Sequence, residues 1–382
     1  MATTSLPHQL PGANKTLTAA CHCRSVHFTI TVPTSSLPLP VHLCHCHVCR
    51  QTHGTLASFH AALPKDVSPV FIAPSSFASS LTGYTHSQGA TATRLFCKTC
   101  GCHIGDVDLR PDPPETGTPR WVDVASSIFD QHTPDTFQIR SHIFTRGAVP
   151  GLAEWLPAIG GRALNTWNPG EGDPELGIPG PAEKGKEFDE RGGERLRAEC
   201  HCGGVSFTLP RPGIPEIADD PYISRWISPK DPNKYAACLD LCGDCRLLDG
   251  THFLAWTFVP LAFCEPKIGP DLKIGTMVTY RSSEDVLRSF CGVCGATVFY
   301  AVADRVPTER QRIVDLAVGV LRAPEGVLAE EWMTWRTGRC SWVEAGKAYD
   351  GEFAEALARG VDEWGVKRYG ESVDFKLPHT RG

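Results

Sequence analysis

At 382 residues, 41% of them hydrophobic, the chain is long enough for two domains with real cores. Its formal net charge of −6 gives no general electrostatic attraction to nucleic acid or to an anionic membrane. The 36 glycines and 31 prolines favour turns and short strands over long helices. No stretch reaches the ~18 uninterrupted apolar residues of a membrane span, and Met1 to Lys15 lacks the apolar run of a secretion signal. The expected compartment is the cytoplasm, with the nucleus open and secretion not expected. In that reducing setting, 17 cysteines, an odd number, read as metal ligands rather than as disulfides.

Taken in order, the chain reads as one unit written twice. Cys21-His22-Cys23-Arg24-Ser25-Val26-His27-Phe28-Thr29 returns as Cys200-His201-Cys202-Gly203-Gly204-Val205-Ser206-Phe207-Thr208. The alternation of Val26 to Val32 is that of a half-buried strand. Next comes Cys44-His45-Cys46-His47-Val48-Cys49-Arg50, whose end returns as Cys242-Gly243-Asp244-Cys245-Arg246. Cys97-Lys98-Thr99-Cys100-Gly101 returns as Cys291-Gly292-Val293-Cys294-Gly295, and Tyr84 and Arg94 before it return as Tyr280 and Arg288. The spacing from Cys49 to Cys97 is 48 positions and from Cys245 to Cys291 it is 46.

This organisation predicts a first domain at 17–160, a linker at 161–195 whose core, Asn168 to Arg195, is Gly, Pro and charge, and a second domain at 196–346. Within the second, the Pro-rich segment around Pro210 to Pro232 reads as a surface insertion. A C-terminal extension at 347–382 carries a short helix at Gly351 to Arg359. Phe253 to Val259 and Thr297 to Val302 are rich in aromatic and β-branched residues. The fold class is therefore mainly β, with each repeat a small domain of mostly antiparallel strands.

The cysteines sort into two kinds of cluster. A C-x-C on the first strand and a distant C-x-x-C-G supply four thiolates: Cys21, Cys23, Cys97 and Cys100, then Cys200, Cys202, Cys291 and Cys294. Four thiolates close zinc tetrahedrally, which makes a structural site; iron would accept the same set. Cys44, Cys46 and Cys49 offer only three. Residues i and i+2 of a strand share a side, so Cys44 and Cys46 converge, and a turn brings Cys49 to them. Either the fourth position stays open for a substrate, or His45, His47, His53 or Cys102 closes it. A three-thiolate zinc is a poor maker of hydroxide and a good holder of a visiting thiol as thiolate. Arg50 adjoins the cluster, either as a holder of a substrate carboxylate or as a solvated arginine. In the second repeat Cys242 and Cys245 persist but Asp240 stands where Cys44 does, with Cys238 two residues earlier, so a metal there is weakened or lost. Twelve of the 15 histidines precede residue 150, concentrating proton-transfer groups in the first repeat.

These motifs, C-x-C at Cys21 and Cys23, C-H-C-x-x-C-R from Cys44 to Arg50 with Gly54, and F-C-x-x-C-G from Phe96 to Gly101, resemble the glutathione-dependent formaldehyde-activating enzyme family, which also contains centromere protein V. His142-Ile143-Phe144 and Tyr280-Arg281-Ser282-Ser283 with Arg288 extend the resemblance. It implies two tandem β-tent domains, each with a structural zinc and a second, exchangeable one. It also implies carbon–sulfur lyase-type chemistry, the reversible addition of glutathione to formaldehyde, as in S-(hydroxymethyl)glutathione synthesis. Cys21, Cys23, Cys97 and Cys100 match the structural ligands, and Cys44, Cys46 and Cys49 the catalytic ones. The expected partners are a glutathione-like thiol and a small aldehyde, with oligomerisation open. The competing readings are a non-catalytic zinc scaffold that binds a protein partner and, weaker, a thiol-redox protein.

Overall fold

The computed structural model describes residues 13–109, 120–169 and 185–378; most of the expected linker core, the first twelve residues and the last four lie outside them. Asn14–Ala20 pairs antiparallel with His27–Pro33, where Phe28, Ile30 and Val32 are buried, as the alternation predicts. Cys21 and Cys23 sit in the turn after this first strand rather than on it, and Cys200 and Cys202 likewise follow the strand Glu194–Glu199. The turn places all four sulfurs at the end of a hairpin instead of along its face.

The main sheet of the first half runs Leu81–Tyr84, Ala92–Cys97, His103–Asp108, Trp121–Ala125, Ser58–Ala62, Leu39–Cys44, Phe137–Ile143, Asn165–Trp167. That of the second half runs Met277–Ser283, Val286–Cys291, Thr297–Val302, Ile313–Ala317, Leu254–Pro260, Tyr235–Asp240, Met333–Trp335. The same order recurs, strand for strand, over seven positions. The molecule is mainly β, and its main-sheet pairs are antiparallel except at one end of each sheet, where Asn165–Trp167 also lies parallel to Phe137–Ile143. Phe137–Ile143 lies parallel to Leu39–Cys44, and Met333–Trp335 parallel to Tyr235–Asp240. Strands also occupy both ends of the expected linker, Asn165–Trp167 on the first sheet and Glu187–Phe188 against the first strand of the second half.

Where a turn was expected after Cys46, the chain makes a seven-residue helix, His47–His53, matched by Gly243–Asp249. Cys46 caps the first, its sulfur accepting from the Cys49 amide at 3.4 Å; Cys242 caps the second at 3.3 Å. Two turns are too few for a periodicity to show in sequence. The C-terminal helix runs over Gly351–Tyr369, beyond the expected end at Arg359. Gly360 argues against continuation by ~1 kcal/mol, but Phe353, Leu357, Val361 and Trp364 form one buried stripe, with Trp364 packed edge-on to Trp155 at 5.4 Å. No helix among the described residues is long and apolar enough to cross a membrane.

The cores of the two halves merge into one cluster, in which Phe59, Phe253 and Phe353 meet at 5.4–6.2 Å. Contacts across this junction come in mirrored pairs. The His22 amide donates to Leu247 O (3.1 Å) and the His201 amide to Gln51 O (3.2 Å). Gly54 and Gly250 end the two short helices in left-handed conformation. A Cβ on Gly54 would lie 2.3 Å from Thr297 O, and one on Gly250 2.4 Å from His103 O. This is the reciprocity of a two-fold dimer interface, held within one chain.

Candidate metal centres

Cys21, Cys23, Cys97 and Cys100 form one group able to hold a metal ion, and Cys200, Cys202, Cys291 and Cys294 another. Sulfurs bound tetrahedrally at ~2.3 Å stand roughly 3.8 Å apart. Cys21–Cys23 and Cys23–Cys97 are separated by 3.5 and 3.6 Å, Cys200–Cys202 and Cys202–Cys291 by 3.5 Å each. These separations are too long for a disulfide and close to a tetrahedral edge. Backbone amides of Val26 and Val205 point at Cys21 and Cys200 sulfur (3.4 and 3.3 Å), the arrangement that stabilises thiolate. The residues present fit a four-thiolate ion.

Cys44, Cys46 and Cys49 form a third group, with Cys44 and Cys46 sulfurs 3.5 Å apart. Strand end, cap and helix bring them together. Thiol hydrogen bonds from Cys44 and Cys46, with Arg94 beside them, hold the Cys49 thiol well below its ordinary range. Contacts with Cys46 and Cys49 push Cys44 up. Arg94 Nη2 donates to the Cys49 sulfur at 3.5 Å, and Arg288 Nη1 does the same for Cys245 at 3.6 Å. The sequence paired these two arginines by position; their role emerges only when the strands Ala92–Cys97 and Val286–Cys291 pass beneath the short helices.

Three of the four residues weighed as a fourth ligand, His45, His53 and Cys102, are hydrogen-bonded elsewhere. His45 Nε2 bonds His142 Nδ1 at 2.8 Å, and His47 stacks on His201. His53 donates from Nδ1 to Cys49 O (2.9 Å) and stacks on His103. Cys102 donates to His103 O. Arg50 is 6% exposed and donates from Nε to His45 O at 3.0 Å; burial brings it down to about 10.

Sequence reasoning did not single out the face beside the cluster. His42 lies two residues before Cys44, hence on the same side of the strand, opposite His60 in register with ring centroids 5.6 Å apart. His60 Nδ1 is 3.4 Å from Asp123 Oδ2. Burial and the neighbouring His60 lower His42. Burial also opposes charge on His60, yet Asp123 outweighs it and raises that ring to about 10. The histidine content alone carried this signal, without the partner strands.

At the rim, His47 stacks on His201 of the second half, and Tyr84 OH is 2.8 Å from His201 Nδ1. Burial and neighbouring positive charge, Arg50 included, lower Arg322 to about 10, and its Nη1 is buried without a hydrogen-bond partner. Glu199 neighbours Arg322 as well, so the rim carries both signs of charge, and part of it comes from the second half.

The second half replaces this chemistry. Asp240 accepts from the Cys242 amide at 2.8 Å in the place of Cys44, and Cys238 and Trp256 stand where His42 and His60 do, while Asp315 holds the place of Asp123. A cavity of about 510 Å³ opens over Asp240, Cys242 and Cys245, with Asp244 and Asp285 at its edge. Arg288 and Arg305 line it too, Arg305 paired with Asp315, so it carries both signs of charge.

No curated protein matches the chain. Residues 16–147, which carry Cys21, Cys23, Cys44, Cys46, Cys49, Cys97 and Cys100, match the family model described as glutathione-dependent formaldehyde-activating enzyme.

Proposed function

We propose that the chain adds a glutathione-like thiol to formaldehyde or a small aldehyde, reversibly, in a carbon–sulfur lyase-type reaction at Cys44, Cys46 and Cys49. In this reading 17–160 is the working zinc domain, 161–195 a linker, 196–346 a partly degenerate copy and 347–382 an extension. The two four-thiolate sets are structural, and Cys242 and Cys245 are the remnant of a second exchangeable site. The supporting observation is the convergence of three thiols at Cys44, Cys46 and Cys49 within the family-matched segment, where the counterpart has Asp240 in place of the first.

Zinc bound by the three sulfurs would supply the means to hold an incoming thiol as thiolate. The chain's own residues do the rest. Arg50 and Arg322 stand in place to receive carboxylate, Arg322 with a buried donor still to satisfy. Arg94 keeps its guanidinium on Cys49, steadying the sulfur set from outside. As the new sulfur–carbon bond forms, the carbonyl π bond opens onto oxygen, and the proton given up by the thiol ends on that oxygen. His42 and His60, facing each other across the strands beside Cys44, supply the imidazoles for acid–base transfer. No oxidant or reductant enters, and the cytoplasm supplies such a thiol.

Two-dimensional exchange NMR on glutathione and formaldehyde tests the reading. Wild-type protein speeds interconversion with the hydroxymethyl adduct; a Cys46→Ser variant that acts equally well would overturn it.

A further inference from the structure

A histidine pair and a carboxylate meet in the core, apart from every cysteine cluster. His132 follows the short turn Ser126–Ile128 of the first half, His252 follows the helix Gly243–Asp249 of the second, and Asp350 caps the C-terminal helix. One nitrogen of each ring and one carboxylate oxygen lie within 4.8 Å of one another. His252 Nε2 is 3.2 Å from His132 Nε2 and 3.5 Å from Asp350 Oδ2, while His132 Nδ1 is 3.1 Å from the same oxygen.

Nitrogen and oxygen ligands at ~2.0–2.1 Å from a tetrahedral ion stand roughly 3.3–3.4 Å apart. The two distances that share His252 Nε2 bracket that value. Two imidazole nitrogens this close hold either a proton or a metal ion between them, because two bare lone pairs repel. The surroundings suit an ion. His132 stacks on Phe137 and His252 on Phe59, with ring centroids 5.2 and 4.5 Å apart, so both rings are fixed in an apolar shell. His252 Nδ1 meets no partner, which leaves Nε2 as the atom through which that ring acts. A cavity of about 20 Å³ adjoins His132 and Asp350, enough for one water.

The geometry points to a divalent transition-metal site at His132, His252 and Asp350 that ties both halves to the C-terminal helix. Zinc suits this donor set, and iron(II) and cobalt(II) share it. The repeat does not account for it: the position matching His252 in the first half is Leu56, and Asp350 belongs to the extension. The site therefore goes beyond the thiol chemistry proposed above and stands or falls separately from it.

The test is zinc uptake by the full chain in equilibrium dialysis, with wild type, His252→Gln and Asp350→Asn compared. Asparagine still caps a helix, so Asp350→Asn keeps the helix start. The expected result is one ion fewer per chain in both variants, with the thiolate-bound ions retained. The zinc absorption-edge spectrum of wild type should also contain a nitrogen/oxygen shell that the variants lose. Equal uptake and identical spectra in all three proteins would assign the cluster to a shared proton and overturn the site. A variant that misfolds is recognised by loss of the sulfur shell, and Asp350→Asn then decides.

Discussion

The Tyr84 hydroxyl stands 2.8 Å from Nδ1 of His201, and the Tyr280 hydroxyl 3.0 Å from Nδ1 of His22. Each half extends a tyrosine to the turn between the first two thiols of the other half's four-thiolate cluster. The junction is built from symmetric contacts, while the two three-ligand sites beside it differ in charge and composition. In the proposed reading the second half serves as half of an interface and as a contributor to the rim of the first-half cluster.

Arg322 tests that contribution. Arg322→Gln should raise KM for glutathione about tenfold, the ~1.4 kcal/mol expected for one charge-assisted contact, with kcat nearly unchanged. Steady-state kinetics over a range of glutathione concentrations reads this directly. An unchanged KM would remove the second half from thiol binding.

The glycine pair tests the junction. Gly54→Ala and Gly250→Ala each force a Cβ against a carbonyl of the other half and place alanine in a left-handed conformation. Each should cost on the order of 2–4 kcal/mol, visible as a lowered urea midpoint. Gly161→Ala, where the added carbon meets nothing, controls for conformation alone.

Arg94 and Arg288 occupy matching positions and should behave differently. Arg94→Met is expected to lower turnover or metal affinity of the first site 10- to 100-fold, the usual effect of losing a group that orients metal ligands. Arg288→Met should leave turnover per folded chain unchanged. Equal losses in both would place catalysis in both halves.

The cysteine spacing alone located both four-thiolate groups, since ligand sets must recur together or not at all. Strands such as Thr297–Val302 were legible to the residue because aromatic and β-branched residues dominate there. Arg94, His60 and Asp123 were not, because what brings them to Cys49 is strand order, which no local pattern records. Asp240 was read as a break in the motif, and its hydrogen bond to the Cys242 amide explains how the turn survives the change. The helix His47–His53 was missed because its cap is a cysteine whose sulfur accepts the hydrogen bond ordinarily taken by Ser or Asp.

Acid should destabilise the fold through buried histidines. His45 and His103 are 1% and 2% exposed, and burial lowers each to about 3, against ~6.5 when unfolded. The unfolded chain therefore binds more protons between these values. Stability is intact above pH 6.5 and falls as pH drops from there toward 3. At pH 5 each ring costs about 2 kcal/mol. Urea titrations at pH 7 and 5 should differ accordingly, together with net proton uptake on unfolding at pH 5. Equal stability at both values would show these rings accept protons in the folded state.

The claim that Cys44, Cys46 and Cys49 hold an ion with room for a visiting thiol is tested most directly with the selenol analogue of glutathione. Zinc absorption-edge spectra of the full chain, recorded with and without it, should gain a zinc–selenium shell. The shell should persist in Cys242→Ser and vanish in Cys46→Ser. A wild-type spectrum unchanged by the selenol, or a selenium shell that survives Cys46→Ser, would contradict it.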